Sequence, residues 1–182
     1  MAGLVAPTDD LIFANLFKFV ATVIGLPDDT DKIVKGFQNN VAQSTASHIV
    51  ISPGILQRQD FGRRRFEPGP DPDNQPGQIV QQAHITYSWQ VDCYGQDGPN
   101  WAIMLATAWK TAWGVDSFKP NGTVTPLYAD APRQVNIVNS EGQYEQRQMV
   151  RLFGQVNYDV TLPQDYFTQV DVDTIVAANQ LP

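Results

Sequence analysis

The side chains with which this sequence could do chemistry are few and scattered. It has two histidines, His48 and His84, and a single cysteine, Cys93. Neither histidine has a partner at metal-ligand spacing, and no H-x-x-x-H or C-x-x-C occurs, so surface or structural histidines are the favoured reading. Cys93 falls on the apolar side of an alternating run. That position favours a small buried hydrophobe over a reactive thiol, and a lone cysteine allows no intramolecular disulfide. The acidic run Asp28, Asp29, Thr30, Asp31 lacks the spaced ligands, central glycine and distal glutamate of a calcium loop and reads as a solvated turn. Asp171 and Asp173 face one way in an extended segment, where a solvated acidic edge is far commoner than a metal or proton site. There is no G-x-S-x-G elbow, no G-x-x-x-x-G-K-S/T loop and no G-x-G-x-x-G after a strand. Tyr87, Trp89, Trp101 and Trp109 read as core or interface aromatics rather than as a platform for sugars or bases. No catalytic residue, metal site or cofactor is expected, although an enzyme whose residues converge only in space would leave no such trace.

One charged cluster stands out. From Gln57 to Gln78 the chain reads as one long loop with a basic half, Arg58, Arg63, Arg64 and Arg65, and a half rich in proline and aspartate. A structureless loop of that length inside a compact domain is usually functional or disordered. If the flanking strands extend into it, it becomes the tip of a protruding hairpin. Arginines beside Phe61 and Phe66 suit phosphate or base stacking. The favoured alternative is an arm that docks on an acidic surface of a neighbouring subunit.

These groups must be positioned by regular elements, and Ala83 to Gly114 is the most legible stretch. Ala83, Ile85, Tyr87, Trp89, Val91 and Cys93 alternate with polar residues, which predicts a strand with one buried face. After the break at Gly95 to Pro99, the residues Trp101, Met104, Leu105, Ala108, Trp109 and Ala112 form one helical stripe, with Asp97 near the cap, Pro99 in the first turn and Gly114 ending the helix. Leu11 to Ile24 predicts another helix, capped by Thr8 and ended by Gly25 and Pro27, with Asn15, Lys18 and Thr22 left to solvent. Short strands are expected at 33–37, at 48–56 with a bend at Pro53 and Gly54, and at 133–138. The last of these turns at Asn139 to Gly142 into a long strand. On that strand Val150, Leu152, Val156, Tyr158 and Val160 share one face, Gly154 marks a bulge or close approach, and Pro163 is the end. Residues 113–131 read as a connection, and 163–182 as a C-terminal arm or short final strand.

The totals set the frame. The chain has 182 residues, a net charge of -7 and 42% hydrophobic residues, which fits one globular domain spanning 1–182. An acidic protein does not wrap a polyphosphate, so ordinary nucleic-acid binding is disfavoured, whereas a surface that nucleic acid passes without sticking would also be acidic. No stretch approaches the length of a membrane span, and Thr8, Asp9 and Asp10 stand where a signal peptide would carry positive charge. Folding in a reducing cytoplasm is the expectation.

The residues Gly36, Phe37, Gln38, Asn39 and Asn40 leading into the strand at Ile49 to Ile51 carry a resemblance. So does Val91 to Gly95 running into an alanine-rich helix, and so does the later hairpin with Arg147 and Arg151. Together they resemble the tail terminator, or neck, proteins of long-tailed bacteriophages, with the same order of elements over most of the chain. The resemblance implies an α+β fold, an antiparallel sheet of about four or more strands with helices packed on one face. It implies a structural virion protein, not an enzyme, that forms a homo-oligomeric ring, usually a hexamer. The ring caps the tail tube and meets the head connector, and genomic DNA passes through its lumen. Arg58, Arg63, Arg64, Arg65, Asp92 and Arg151 are then the expected subunit or tube contacts. The localisation implied is the virion neck, after assembly in the host cytoplasm. The competing readings are a head-completion connector and a non-viral ligand-binding module that uses the Trp and Tyr surface.

Overall fold

A computed structural model describes residues 4–28, 30–37, 46–69, 77–135, 137–138 and 144–164. The elements are β1 (Leu4–Ala6), α1 (Asp9–Ile24), β2 (Ile33–Lys35), β3 (His48–Ile51), β4 (Ile55–Glu67), β5 (Gly77–Tyr94), α2 (Gly98–Trp109), α3 (Ala112–Phe118), β6 (Thr125–Ala129), β7 (Arg133–Gln134), β8 (Ile137–Val138), β9 (Tyr144–Glu145) and β10 (Arg147–Gln164). The fold is mixed α and β, built on two long strands. β5 and β10 pair antiparallel from Tyr94 opposite Arg147 to Gly77 opposite Gln164. The other side of β5 takes β3 at one end and β4 along the rest. The other side of β10 takes β7, β6 and β1 in succession. β2 lies outside β3 and completes a sheet of eight strands, while β8 and β9 form a separate short ladder.

The period-two pattern fixes which face is dry. Ala83, Ile85, Trp89, Val91 and Cys93 of β5 are buried beside Val150, Leu152, Val156 and Tyr158 of β10. Register places Val91 opposite Val150, Trp89 opposite Leu152 and Ile85 opposite Val156. Each large apolar side chain removed from water contributes about 1.5–3 kcal/mol. The helices meet this face: Trp109 of α2 stands edge-on to Trp89 at 6.3 Å and to Phe19 of α1 at 5.2 Å. The α1 ends follow their residues. Thr8 accepts a hydrogen bond from the Leu11 amide, and Gly25 closes the helix at φ 74°, a left-handed conformation that costs glycine no steric clash. Gly154 behaves as its position on the strand suggests. The ladder to β6 shifts register between Phe153 and Gly154, and a Cβ there would stand 2.9 Å from both Trp89 and Val124.

Several expectations are corrected. Residues 57–78 are not one loop. β4 runs to Glu67 and β5 begins at Gly77, so the conditional hairpin forms and only 68–76 connect its strands. The tip at 70–76 lies outside the described residues. The sheet is mostly antiparallel, but β2 pairs parallel with β3. The helix expected to run to Gly114 breaks at Lys110, and Thr111 caps a new helix in which Gly114 sits in the first turn. In α2 the side chains of Ala102, Leu105, Ala106 and Trp109 are buried while Met104 is exposed, so the true stripe is rotated from the expected one. Asn15 is buried rather than solvated, because its amide donates to Thr123 Oγ1 at 3.0 Å and its carbonyl accepts from Asn121 at 2.7 Å. The connection at 113–131 contains α3 and β6. The strand at 133–138 divides into β7 and β8, and β10 continues through Pro163 to Gln164. The C-terminal arm beyond Gln164, with Asp171 and Asp173, lies outside the described residues, as do residues 38–40 and the turn at 139–142.

Candidate functional site

The four arginines singled out in the sequence stand on one strand. β4 holds Arg58 and Arg65 in ion pairs with residues two positions on, Asp60 at 2.9 Å and Glu67 at 2.7 Å. Spacing of two puts both partners on one face of a strand, and the pairs are surface pairs worth little in stability. Arg63 and Arg64 are exposed and have no ion pair among the described residues. Both stand at the second of two register shifts in the β4–β5 ladder, between Phe61 and Arg64. β4 therefore carries net positive charge in an acidic chain.

Asp92 and Arg151, the other two expected contact residues, lie on the sheet face opposite the helices, and they do not pair with each other. Asp92 is only 3% exposed. Arg147, at the start of β10, donates from Nη2 to one Asp92 oxygen at 2.9 Å and from Nε to the other at 3.0 Å. Gln90 donates to the same carboxylate at 2.8 Å. Burial opposes the charge on Arg147, but the hydrogen bond and the charge of Asp92 outweigh it and hold the guanidinium above its ordinary range. Arg147 also lies 5.7 Å from the Tyr94 ring, and Tyr94 stacks on buried His48 at 4.6 Å. His48 is thus structural, its Nδ1 2.9 Å from the Ala46 carbonyl oxygen. Arg151 is exposed opposite Gln90, two residues from Phe153, which stacks on exposed Tyr128 at 4.3 Å. The Asp92–Arg147 pair escaped the sequence reading because β5 and β10 are far apart in the chain. Only the strand register brings the end of one to the start of the other.

A cleft opens between the start of α1 and the sheet, lined by Asp9, Phe13, Lys35, Tyr87, Trp89 and Tyr158. The Tyr158 hydroxyl donates to Tyr87 at 3.2 Å and lies 3.5 Å from Asp9. Burial, then the Tyr87 hydrogen bond and the charge of Asp9, push the Tyr158 phenol far up, so it stays protonated and supplies no base. No group of three or more His, Cys, Asp or Glu among the described residues has the geometry to hold a metal. No described helix is long and apolar enough to cross a membrane.

Cys93 is buried, and burial followed by the Asp92 charge raises its thiol from 9.0 to about 12. A thiol so protected is no nucleophile. The folded value lies above the unfolded one. Its contribution to stability is therefore complete below about pH 9 and is lost as pH rises toward 12. Between about pH 8 and about pH 10.5 the native chain should lose roughly 2 kcal/mol more than Cys93→Ala, as read by urea melts of both proteins. Equal losses would refute the assignment.

Comparison with known families places a name beside this geometry. The family model described as phage neck terminator protein matches residues 10–180, which is nearly the whole chain. A comparison with curated proteins finds no match.

Proposed function

The chain belongs to the phage neck terminator family, a structural role in the virion neck, and from that premise we propose that it closes into a ring that caps the tail tube and joins it to the head connector. The observation that supports a ring is that one subunit presents unlike surfaces at opposite edges of its sheet. Beyond β5 stands β4 with Arg58, Arg63, Arg64 and Arg65. Beyond β10 stand β1 and β6, with Leu4, Val5, Leu127 and Tyr128 exposed. Two unlike patches on opposite sides make a heterologous contact, which closes as a ring when the rotation permits. The net charge of -7 suits a lumen through which DNA slides, because like charge keeps it from sticking. A hexamer is the reading taken for ring number, with the tube end and the connector as its two axial partners.

Class averages of the pure protein by electron microscopy, with and without tail tubes, test this. A closed ring, or a ring seated on tube ends, is the expected image. A monomer in solution that leaves tube ends bare would sink the proposal.

A further inference from the structure

The cleft beside α1 continues into a second hollow, and the two share Asp9, Tyr87 and Tyr158. Pro53, Gly54 and Trp89 belong to the first hollow; Val5, Ala83 and Val160 belong to the second. Together they make a groove along the helix side of the sheet, apolar toward both ends with a polar waist between.

The hydrogen-bonding groups of this groove are incompletely used. Trp89 is only 4% exposed, yet its indole Nε1 has no acceptor among the described residues. That nitrogen lies against Gly54 on the cleft wall, where a Cβ would stand 2.6 Å from it. A buried N–H without a partner is costly, so its position calls for an acceptor. At the waist the Tyr158 hydroxyl donates to Tyr87, which leaves the Tyr87 hydroxyl hydrogen without an acceptor among the described residues. Asp9 is exposed at the mouth and has no ion pair among the described residues; its carboxylate lies 3.5 Å from the Tyr158 hydroxyl. Lys35 does not neutralise Asp9. It pairs with Asp10 at 3.6 Å and rests over the Phe13 ring at 5.1 Å, so one wall of the groove already holds a cation against an aromatic ring.

The groove thus offers two donors to an acceptor, and one carboxylate beside aromatic rings to a cation. An arginine in a peptide carries both complements. Its guanidinium stacks on aromatic rings and forks onto a carboxylate, and the main-chain carbonyls accept from N–H and O–H groups. Two hollows joined end to end match an extended chain, with a side chain for each, rather than a compact small molecule.

We propose that this groove binds an extended peptide segment of a partner protein, with an arginine at the waist against Asp9, a main-chain carbonyl on the Trp89 N–H and apolar neighbours in the two hollows. The net charge of -7 attracts such a basic segment from a distance. The site does not depend on ring closure, and binding is read on whichever assembly state the native chain adopts.

Fluorescence anisotropy of a labelled Gly-Leu-Arg-Leu-Gly peptide tests it, beside the same peptide with citrulline, which keeps the shape of arginine and lacks its charge. The native chain should bind the arginine peptide about fivefold more tightly than the citrulline one. Asp9→Asn should abolish that preference, binding both peptides as weakly as the native chain binds citrulline. Asp97→Asn makes the same change of net charge at the start of α2, outside the groove, and should keep the preference in full. Equal binding of the two peptides by the native chain overturns the proposal, and so does no binding of either. A preference that survives Asp9→Asn, or is lost in Asp97→Asn, overturns it as well. The native-chain comparison stands even if Asp9→Asn fails to fold.

Discussion

Replacing Asp92 with alanine is expected to lower the unfolding free energy by about 3 kcal/mol, near the lower end for a broken buried ion pair. The lower end applies because the Arg147 side chain keeps 20% of its surface in water while that of Asp92 keeps 4%. The loss comes from what remains: a guanidinium below the surface without its carboxylate, and a Gln90 amide without its acceptor. For a chain of this size the thermal midpoint should fall by roughly 6–12 °C. Arg147→Met alone should cost a similar amount, by stranding the carboxylate. Asp92→Leu combined with Arg147→Met should recover most of the loss, because an apolar pair of similar volume has no charge to desolvate. Thermal melts of Asp92→Leu, Arg147→Met and the double variant against the native chain form a double-mutant cycle, and a coupling near zero would show that the pair contributes nothing. The same geometry explains why charge reversal at Asp92 is a poor probe of subunit contact. It acts on the fold before any neighbour is met. Arg151, exposed on the same face, is the informative position there.

The elements read correctly from the sequence are those whose pattern is local. The β5 alternation, the β10 alternation, the Thr8 cap and the Gly25 stop each lie within one element and follow from its own period. What escaped was set by neighbours distant in sequence. β4 looked like loop because arginine and glycine weaken a strand signal, yet β5 offers it an edge to pair with, and pairing decides. Its pairs of opposite charge at a spacing of two, Arg58 with Asp60 and Arg65 with Glu67, were the available sign of a strand. β6 was hidden by Pro126, which an edge strand tolerates. Asn15 looked like a surface residue of a helix until Thr123 and Asn121 covered it from more than a hundred residues away. The candidate site divides the same way. Four of its arginines fall on one strand as their closeness in sequence suggests, whereas Asp92 finds its partner only through register.

Truncating Trp109 is expected to have the largest effect of any single core substitution. Trp109 is the largest fully buried side chain, and it joins every layer. Its ring meets Phe19 of α1 at 5.2 Å, Phe118 of α3 at 5.5 Å and Trp89 of β5 at 6.3 Å, all near edge-on. Its indole Nε1 donates to the Phe153 carbonyl of β10 at 2.8 Å, across the register shift beside Gly154. Trp109→Ala removes the buried area and leaves a cavity, a loss of about 3–5 kcal/mol, and strands the Phe153 carbonyl for about 1 kcal/mol more. Trp109→Phe keeps most of the packing and should cost about half as much. The two variants therefore separate shape from hydrogen bonding, read as midpoints in urea melts. A loss below about 1 kcal/mol for the alanine variant would mean that α2 is not held to the sheet through this ring. The consequence for assembly follows from where the strands end. β4 and the far half of β10 pair with β5 beyond Trp109, so loosening α2 should weaken the subunit without altering which edge it offers. At a temperature where Trp109→Phe is still folded, its assembly should match that of the native chain.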